Sequence, residues 1–294
     1  MKLIVEPDDG VTPILLAIQK AKKTVDVMIF RFDRPELEKA LQAAVKRGVV
    51  VRTLIAHTNS KGEKNLRKLE LRLLDYGVTV ARTASDLLRY HGKFLVVDRA
   101  TLYVLGFNYT RLDIDRSRSF GVVTKNRKLV QEALRLFEAD CIRQPYTAGF
   151  DLFVVSPVNA RERLMAFIRK ARKQLLIYDP KVADGAIVTL LQQRAKAGVD
   201  VRVLGRIGKR GGALKVQRFP GRRLHVRAIV RDGVRAFVGS QSLRKVELDA
   251  RREVGVIVRD PKVTRRIAAV FETDWALTDL AKKSAEHEGE ALRA

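Results

Sequence analysis

Two short segments of the sequence each place a histidine two positions before a cation. His91 precedes Lys93, and His225 precedes Arg227. Because alternate residues of a strand project from the same face, each imidazole should lie beside its cation. A neutral imidazole can attack phosphorus or accept a proton, and a fixed cation stabilises the charge on phosphoryl oxygens. The two pairs therefore predict a catalytic site for phosphodiester chemistry.

The two segments belong to a longer internal repeat. One constant offset relates HGKFLVVD, which starts at His91, to HVRAIVRD, which starts at His225. The same offset relates FEAD, from Phe137, to FETD, from Phe271. Earlier blocks also repeat in the same order at a larger offset. The chain has only four histidines, and two of them occupy equivalent positions, which packing alone does not explain.

Each half alternates predicted helices and strands. For example, LEKALQAAVKRG should form a helix that begins near Pro35 and ends at Gly48. The alternation predicts the α/β class, with a mixed sheet flanked by helices in each half. We place the first half at residues 1–147, the second at 148–280 and a polar C-terminal tail at 281–294.

The composition limits the classes of protein and partner. The 294 residues are 46% hydrophobic and 31% charged, which suits a globular protein with a packed core. The formal net charge of +25 favours an anionic partner: nucleic acid, an anionic membrane surface or a phosphate-bearing substrate. Cys141 is the only cysteine, which excludes a disulfide within the chain and a cysteine-based zinc site. With no signal-peptide pattern and no long apolar run, we expect a protein that is cytoplasmic or peripheral to a membrane.

The repeated pattern H-x-K-x4-D resembles that of the phospholipase D superfamily. The first copy, at His91, Lys93 and Asp98, matches in full. The second keeps its histidine and Asp232 but carries Arg227 where the family usually has lysine. Since both aspartates lie seven residues after a histidine, strand parity turns them to the opposite face, and we expect them to have a structural role.

The family also commonly has a G-S-x-N motif downstream of the histidine. At the corresponding positions the first copy keeps Asn108, and the second keeps Ser240 and places Ser242 where the asparagine would stand. These three are candidate donors to the substrate phosphate, although each could instead cap a turn. Glu253 matches an acidic position of the family and could orient a histidine or pair with a neighbouring arginine.

The resemblance implies a fold and a mechanism. Two halves would pack about a pseudo-twofold axis, so that both motifs meet in one cleft. One histidine would attack phosphorus to form a phosphohistidine, while the other protonates the leaving alcohol and later activates water or an acceptor alcohol. We assign the attack to His91 and the acid role to His225. No metal or other cofactor is needed in this scheme.

Three functions remain open on the sequence. The first is a phospholipase D-like hydrolase or transferase that acts on phosphatidyl groups at a membrane surface. The second is a metal-independent nuclease of the same superfamily. The third is an inactive nucleic-acid-binding module, if Arg227 and the incomplete G-S-x-N motifs have abolished turnover. Because one chain holds both motifs, we expect a monomer.

A basic stretch leads into the second motif. Residues 201–227 contain several arginines and lysines, glycines at positions 205, 208, 211 and 212, and no acidic residue. We predict a flexible loop that guides an anionic substrate. The remaining histidines, His57 and His287, have no matching neighbours and are expected at the surface.

Overall fold

The chain folds into two halves that each contain an eight-stranded mixed sheet flanked by helices. This arrangement, seen in a computed structural model that describes residues 1–57, 63–208 and 214–280, confirms the predicted fold class. No helix in these described ranges is long and apolar enough to cross a lipid bilayer. The expected tail at 281–294, with His287, lies outside them.

The elements of the two halves follow a corresponding order, except that the helix between the third and fourth strands of the first half has no counterpart among the described residues of the second. The first half contributes β1 (Lys2–Glu6), α1 (Thr12–Gln19), β2 (Thr24–Ile29), α2 (Pro35–Lys46), β3 (Val50–Ile55), α3 (Glu63–Asp75), β4 (Thr79–Arg82), β5 (Arg89–Tyr90), β6 (Phe94–Val97), β7 (Thr101–Leu105), α4 (Arg111–Asp115), β8 (Ser117–Thr124) and α5 (Arg127–Cys141). The second contributes β9 (Phe153–Ser156), α6 (Ala160–Arg169), β10 (Gln174–Val182), α7 (Gly185–Lys196), β11 (Asp200–Ile207), β12 (Lys215–Gln217), β13 (Arg223–Leu224), β14 (Ala228–Arg231), β15 (Arg235–Gly239), α8 (Lys245–Asp249), β16 (Arg251–Val258) and α9 (Pro261–Ala276).

The two sheets repeat one strand order. It is β1-β8-β7-β6-β2-β3-β4 in the first half and β9-β16-β15-β14-β10-β11-β12 in the second. Each sheet takes its eighth strand from the other half, because β13 pairs in parallel with β8 and β5 pairs in parallel with β16. This reciprocal exchange relates the halves by the expected pseudo-twofold symmetry.

A central apolar core joins the halves. It contains inward-facing residues of both sheets and the apolar faces of α5 and α9. Phe120 of the first half and Phe271 of the second both pack edge-on against Tyr178, with ring centroids 5.5 Å and 5.0 Å apart. Burial of each such side chain contributes roughly 1.5–3 kcal/mol relative to exposure, so the core holds the two halves in one fixed relation.

Helix α2 shows how local sequence sets an element that supports the site. It begins at Pro35, whose missing N–H costs nothing in the first turn. Leu37, Leu41 and Ala44 recur at helical spacing and are buried in the outer apolar cluster of the first half. Gly48 follows with φ of 83°, a left-handed conformation that ends the helix as predicted.

The prediction of a flexible loop at 201–227 is wrong for much of that range. β11, β12 and β13 occupy three parts of it, and only positions 209–213 lie outside the described residues. Gly205 has φ of 145°, and a Cβ there would collide with the carbonyl oxygen of Asp179. This glycine therefore permits close packing of β11 against β10 and does not loosen the chain. Guidance of an anionic substrate by this stretch stays a prediction.

Candidate active site

The exchanged strands bring the two histidines to the seam between the halves. β5 ends one residue before His91, whose N–H donates to the carbonyl oxygen of Arg252 at 2.7 Å. β13 ends one residue before His225, whose N–H donates to the carbonyl oxygen of Arg118 at 3.0 Å. Each histidine backbone is therefore held by the last sheet strand of the opposite half.

The same two arginines form crossed ion pairs between the halves. Arg118 of β8 donates from Nε and Nη2 to Asp274 of α9, at 2.9 Å and 3.0 Å. Arg252 of β16 donates from Nε and Nη2 to Asp140 of α5, at 3.1 Å for both. All four residues are buried. These two-point contacts fix the orientation of each arginine, and so fix the carbonyl that holds a histidine.

A buried carboxylate from the second half faces the first histidine. Nδ1 of His91 lies 2.9 Å and 3.0 Å from the two carboxylate oxygens of Glu253, which is fully buried. Burial and then the charges of Lys93 and Arg227 lower the pKa of His91 well below its usual value. A carboxylate at this distance favours the neutral tautomer with its proton on Nδ1, and in that tautomer the lone pair of Nε2 is available for attack.

The second histidine faces a carboxylate from the first half. Nδ1 of His225 lies 3.5 Å from Oδ2 of Asp113, longer than a normal hydrogen bond. The same carboxylate accepts the backbone N–H and side-chain amide of Asn108, at 2.9 Å and 2.7 Å, and Nη1 of Arg223 at 2.6 Å. Burial opposes ionisation of Asp113, but these donors and the charge of His225 outweigh it and lower the pKa of Asp113.

The two cations occupy equivalent positions. Nζ of Lys93 donates to the carbonyl oxygen of His91 at 2.5 Å, and Nη1 of Arg227 donates to that of His225 at 3.0 Å. Burial lowers the pKa of Lys93 to about 7, despite the opposing charge of Glu253. Burial also lowers the pKa of His225, and the charge of Arg227 adds to that effect. The charges of both cations therefore lower the pKa of both histidines, as expected when the two motifs share one site.

The serine candidates lie beside the cations and carboxylates. Ser242 accepts a hydrogen bond from Nε of Arg227 at 3.2 Å. Ser240 exchanges hydrogen bonds with the backbone of Val254 and contacts Glu253. In the first half Gly106 stands at the position of Ser240, and a Cβ there would lie 2.9 Å from the carbonyl oxygen of Phe120. The crowded backbone explains why the first copy has no serine.

The two motif aspartates lie away from the histidine cluster. Asp98 and Asp232 have φ of 53° and 54°, at turns that follow β6 and β14. Each accepts three consecutive backbone N–H groups, those of residues 22–24 and 172–174. These bonds tie each turn to the start of β2 or β10. His57 is exposed at the end of β3.

Side chains that could bind a metal are not gathered at this site. Among the described residues, no group of three or more histidine, cysteine, aspartate or glutamate side chains is arranged to hold an ion.

Both halves of the chain match the profile of one protein family. The profile of the family described as "Cardiolipin synthase, PLD-like domain" matches residues 14–141 and again residues 164–275. The chain belongs to this family. The two matched ranges correspond to the two halves of the fold, and each contains one of the two histidines.

Curated relatives match a shorter part of this phospholipase D-like chain. "Mitochondrial cardiolipin hydrolase" of Mus musculus is 26% identical over 131 residues, which cover 45% of this chain and 58% of that protein. The Homo sapiens protein of the same name is 27% identical over 131 residues, which cover 45% of this chain and 50% of that protein. The chain thus spans only about half the length of the curated relatives it matches.

Two solved structures share the fold over nearly the whole chain. Polyphosphate kinase from Porphyromonas gingivalis has a TM-score of 0.76 and 21% identity, covering 93% of this chain and 50% of that one. Phosphatidylserine synthase from Haemophilus influenzae Rd KW20 has a TM-score of 0.70 and 12% identity, covering 92% of this chain and 84% of that one. At these identities the likeness establishes the phospholipase D-like fold alone.

Sequence reasoning missed one residue of this phospholipase D-like site. Asp113 was not among the candidates, because it lies on the five-residue helix α4 outside the motifs. The repeat offers a signal for it, since the same offset that relates the histidines relates Asp113 to Glu247. Glu247 is also buried, but its carboxylate pairs with Arg244 and Arg251.

Proposed function

We propose that the protein is a phospholipase D-like phosphodiesterase that hydrolyses or transfers phosphatidyl groups through a phosphohistidine. One observation carries the proposal: buried His225 and largely buried His91 each face a carboxylate from the other half and adjoin the side chains of Lys93 and Arg227. Such a cluster provides a nucleophile, an acid and positive charge for the phosphoryl oxygens, which are the parts that two-step phosphoryl transfer requires.

In the first step, Nε2 of His91 attacks phosphorus while Glu253 holds the proton on Nδ1. The new P–N bond forms as the P–O bond to the leaving alcohol breaks, and His225 donates a proton to that oxygen. Lys93 and Arg227 stabilise the non-bridging oxygens. A phosphate bound between these cations offsets their charge, which raises the pKa of His225 toward the value that a general acid needs.

In the second step, water or an acceptor alcohol attacks the phosphohistidine. His225, now neutral, accepts the proton from the attacking oxygen, and the P–N bond breaks to release His91. Asp113 faces Nδ1 of His225 and stabilises its protonated form. Contacts of this type commonly shorten when a substrate binds, and the 3.5 Å separation needs to shorten by only about 0.5 Å to form a hydrogen bond.

Support for a lipid substrate comes from the family and from charge. The family description names cardiolipin synthase, and the curated relatives are named cardiolipin hydrolases. A net charge of +25 favours binding to an anionic lipid surface. The same charge suits a nucleic acid, so the test must compare both substrates.

The test measures cleavage of three substrates in excess EDTA. Purified protein is incubated with vesicles of cardiolipin or phosphatidylglycerol, with bis(p-nitrophenyl) phosphate and with single-stranded DNA. We expect phosphatidic acid from the vesicles and nitrophenolate from the aryl diester, and neither from the variant His91→Ala. Cleavage of DNA without any lipid product would overturn the lipid assignment in favour of a nuclease. No cleavage of any substrate would indicate an inactive binding module.

A further inference from the structure

The surroundings of the two histidines differ in charge. On the side of His91, the ring of Phe30 lies against the imidazole, with centroids 4.8 Å apart. The guanidinium carbons of Arg31 and Arg89 each lie 5.4 Å from the centre of the same ring. Arg251 acts electrostatically on both Arg89 and His91. Three arginines therefore converge beside this histidine, in addition to the two cations at the centre of the site.

Arg89 is poorly compensated within this group. Its pKa is lowered first by burial and then by the charges of Arg251 and Arg31. The charges of Glu253 and Glu247 act in the opposite direction but offset these effects only in part. Arg251 donates from Nη1 to Glu247 at 2.7 Å, yet its buried Nε has no hydrogen-bond partner among the residues that the structure describes. Donors held near like charge without an acceptor are unfavourable, and binding of an anion relieves that cost.

The equivalent positions beside His225 do not form such a group. The repeat places Ser117 where the first site has Arg251, and an exposed lysine, Lys181, where it has Arg31. Arg223 corresponds to Arg89, but it donates to Asp113 at 2.6 Å and to Ser117 at 3.0 Å. The pseudo-twofold symmetry is therefore broken by charge: three arginines gather on the His91 side, whereas the one equivalent arginine on the His225 side already pairs with Asp113.

We propose that Arg31, Arg89 and Arg251 form a subsite for a second phosphate group of the substrate, beside the phosphate that reacts. The inference rests on the proposed function and narrows its substrate to compounds that carry two phosphates on a short polyol. Phosphate suits this group because it presents several acceptor oxygens and up to two negative charges to planar guanidinium donors. Glycerol-linked bisphosphates of a lipid and adjacent phosphates of a nucleic acid share this chemistry.

Binding of small product-like compounds tests the subsite without requiring turnover. Dissociation constants are measured by calorimetry for two pairs: glycerol 3-phosphate against glycerol 1,3-bisphosphate, and thymidine 5′-phosphate against thymidine 3′,5′-bisphosphate. We expect the second phosphate to tighten binding about tenfold in at least one pair, with a smaller gain at high salt. The pair that responds identifies a lipid or a nucleic-acid source.

Matched variants separate the subsite from the overall positive charge. Arg89→Gln should remove most of the gain from the second phosphate, and Arg89→Lys should keep part of it. Arg223→Gln removes the same charge at the equivalent position. In this variant the ratio of the dissociation constants for the monophosphate and the bisphosphate should stay as in the original protein. A gain below about twofold in both pairs, or a full gain in folded Arg89→Gln, would overturn the proposal. If the substrate assay shows no catalysis, the dissociation constants can still be measured, and they alone decide the proposal.

Discussion

Nδ1 of His91 lies 2.9 Å from a carboxylate oxygen of Glu253, although the two residues are 162 positions apart in the chain. The histidine belongs to the first half and the glutamate to the second. Asp113 and His225 form the reciprocal relation, with the carboxylate in the first half and the imidazole in the second. Each half therefore places a carboxylate beside the other half's histidine, at hydrogen-bond distance from His91 and at 3.5 Å from His225.

Replacement of Glu253 by glutamine should impair the attacking histidine. The glutamine amide can donate to Nδ1 of His91, which stabilises the tautomer with its proton on Nε2 and removes the attacking lone pair. We expect kcat for an aryl phosphodiester to fall about 10²- to 10⁴-fold, by analogy with loss of the orienting carboxylate in other histidine-dependent sites. Glu138→Gln, a half-exposed position on α5, provides a control that should keep full activity. Activity within about twofold of the original in Glu253→Gln would mean that the carboxylate has no orienting role.

The crossed ion pairs should show strong energetic coupling. Arg252→Met leaves the buried carboxylate of Asp140 without its partner, and we expect a loss of about 3–5 kcal/mol in the free energy of unfolding. The double variant Arg252→Met/Asp140→Leu removes both charges and should be less destabilised than the single variant. Urea unfolding of both single variants and the double variant measures the coupling. Additive losses would show that the pair does not act as a unit.

Lys93 predicts a pH dependence of stability. Burial lowers its pKa from 10.5 to about 7 in the folded protein. Between these values the unfolded chain binds a proton at this position that the native protein does not, so the free energy of unfolding should rise with pH. The rise is at most about 1.4 kcal/mol per pH unit for one proton. The free energy of unfolding of the original protein, minus that of Lys93→Met, should therefore increase from pH 7.5 to pH 9.5. A constant difference would contradict the lowered pKa of Lys93.

Much of the fold and the pairing of the two histidines follow from the sequence because the chain repeats itself. The repeat relates His91 to His225, and the alternation of helical and strand patterns predicts two similar α/β halves. The FEAD and FETD segments also repeat, but the ion pairs made by their aspartates, Asp140 and Asp274, do not follow from it. Those pairs cross between halves, and a linear pattern gives no information on which half a side chain will contact.

The difference in charge between the surroundings of the two histidines could not be predicted from the sequence either. Phe30 and Arg31 lie at the end of β2, far in sequence from Arg251, and only the three-dimensional fold brings them together beside His91. For the basic stretch at 201–227 the sequence led to a wrong prediction, because its glycines indicated a loop. In the structure Gly205 allows two strands to approach closely, which is a packing requirement that composition does not distinguish from flexibility.

The central claim, covalent catalysis by His91 with His225 as the acid, is tested most directly by trapping the intermediate. Bis(p-nitrophenyl) phosphate has a leaving group that departs without protonation, so His225→Ala should release about one nitrophenolate per protein and then accumulate the adduct. Mass spectrometry of peptides prepared at neutral pH should find an acid-labile phosphoryl group on His91, and none in His91→Ala. A phosphoryl group on His225 in a protein with intact His91, or turnover without any adduct in His225→Ala, would contradict the account.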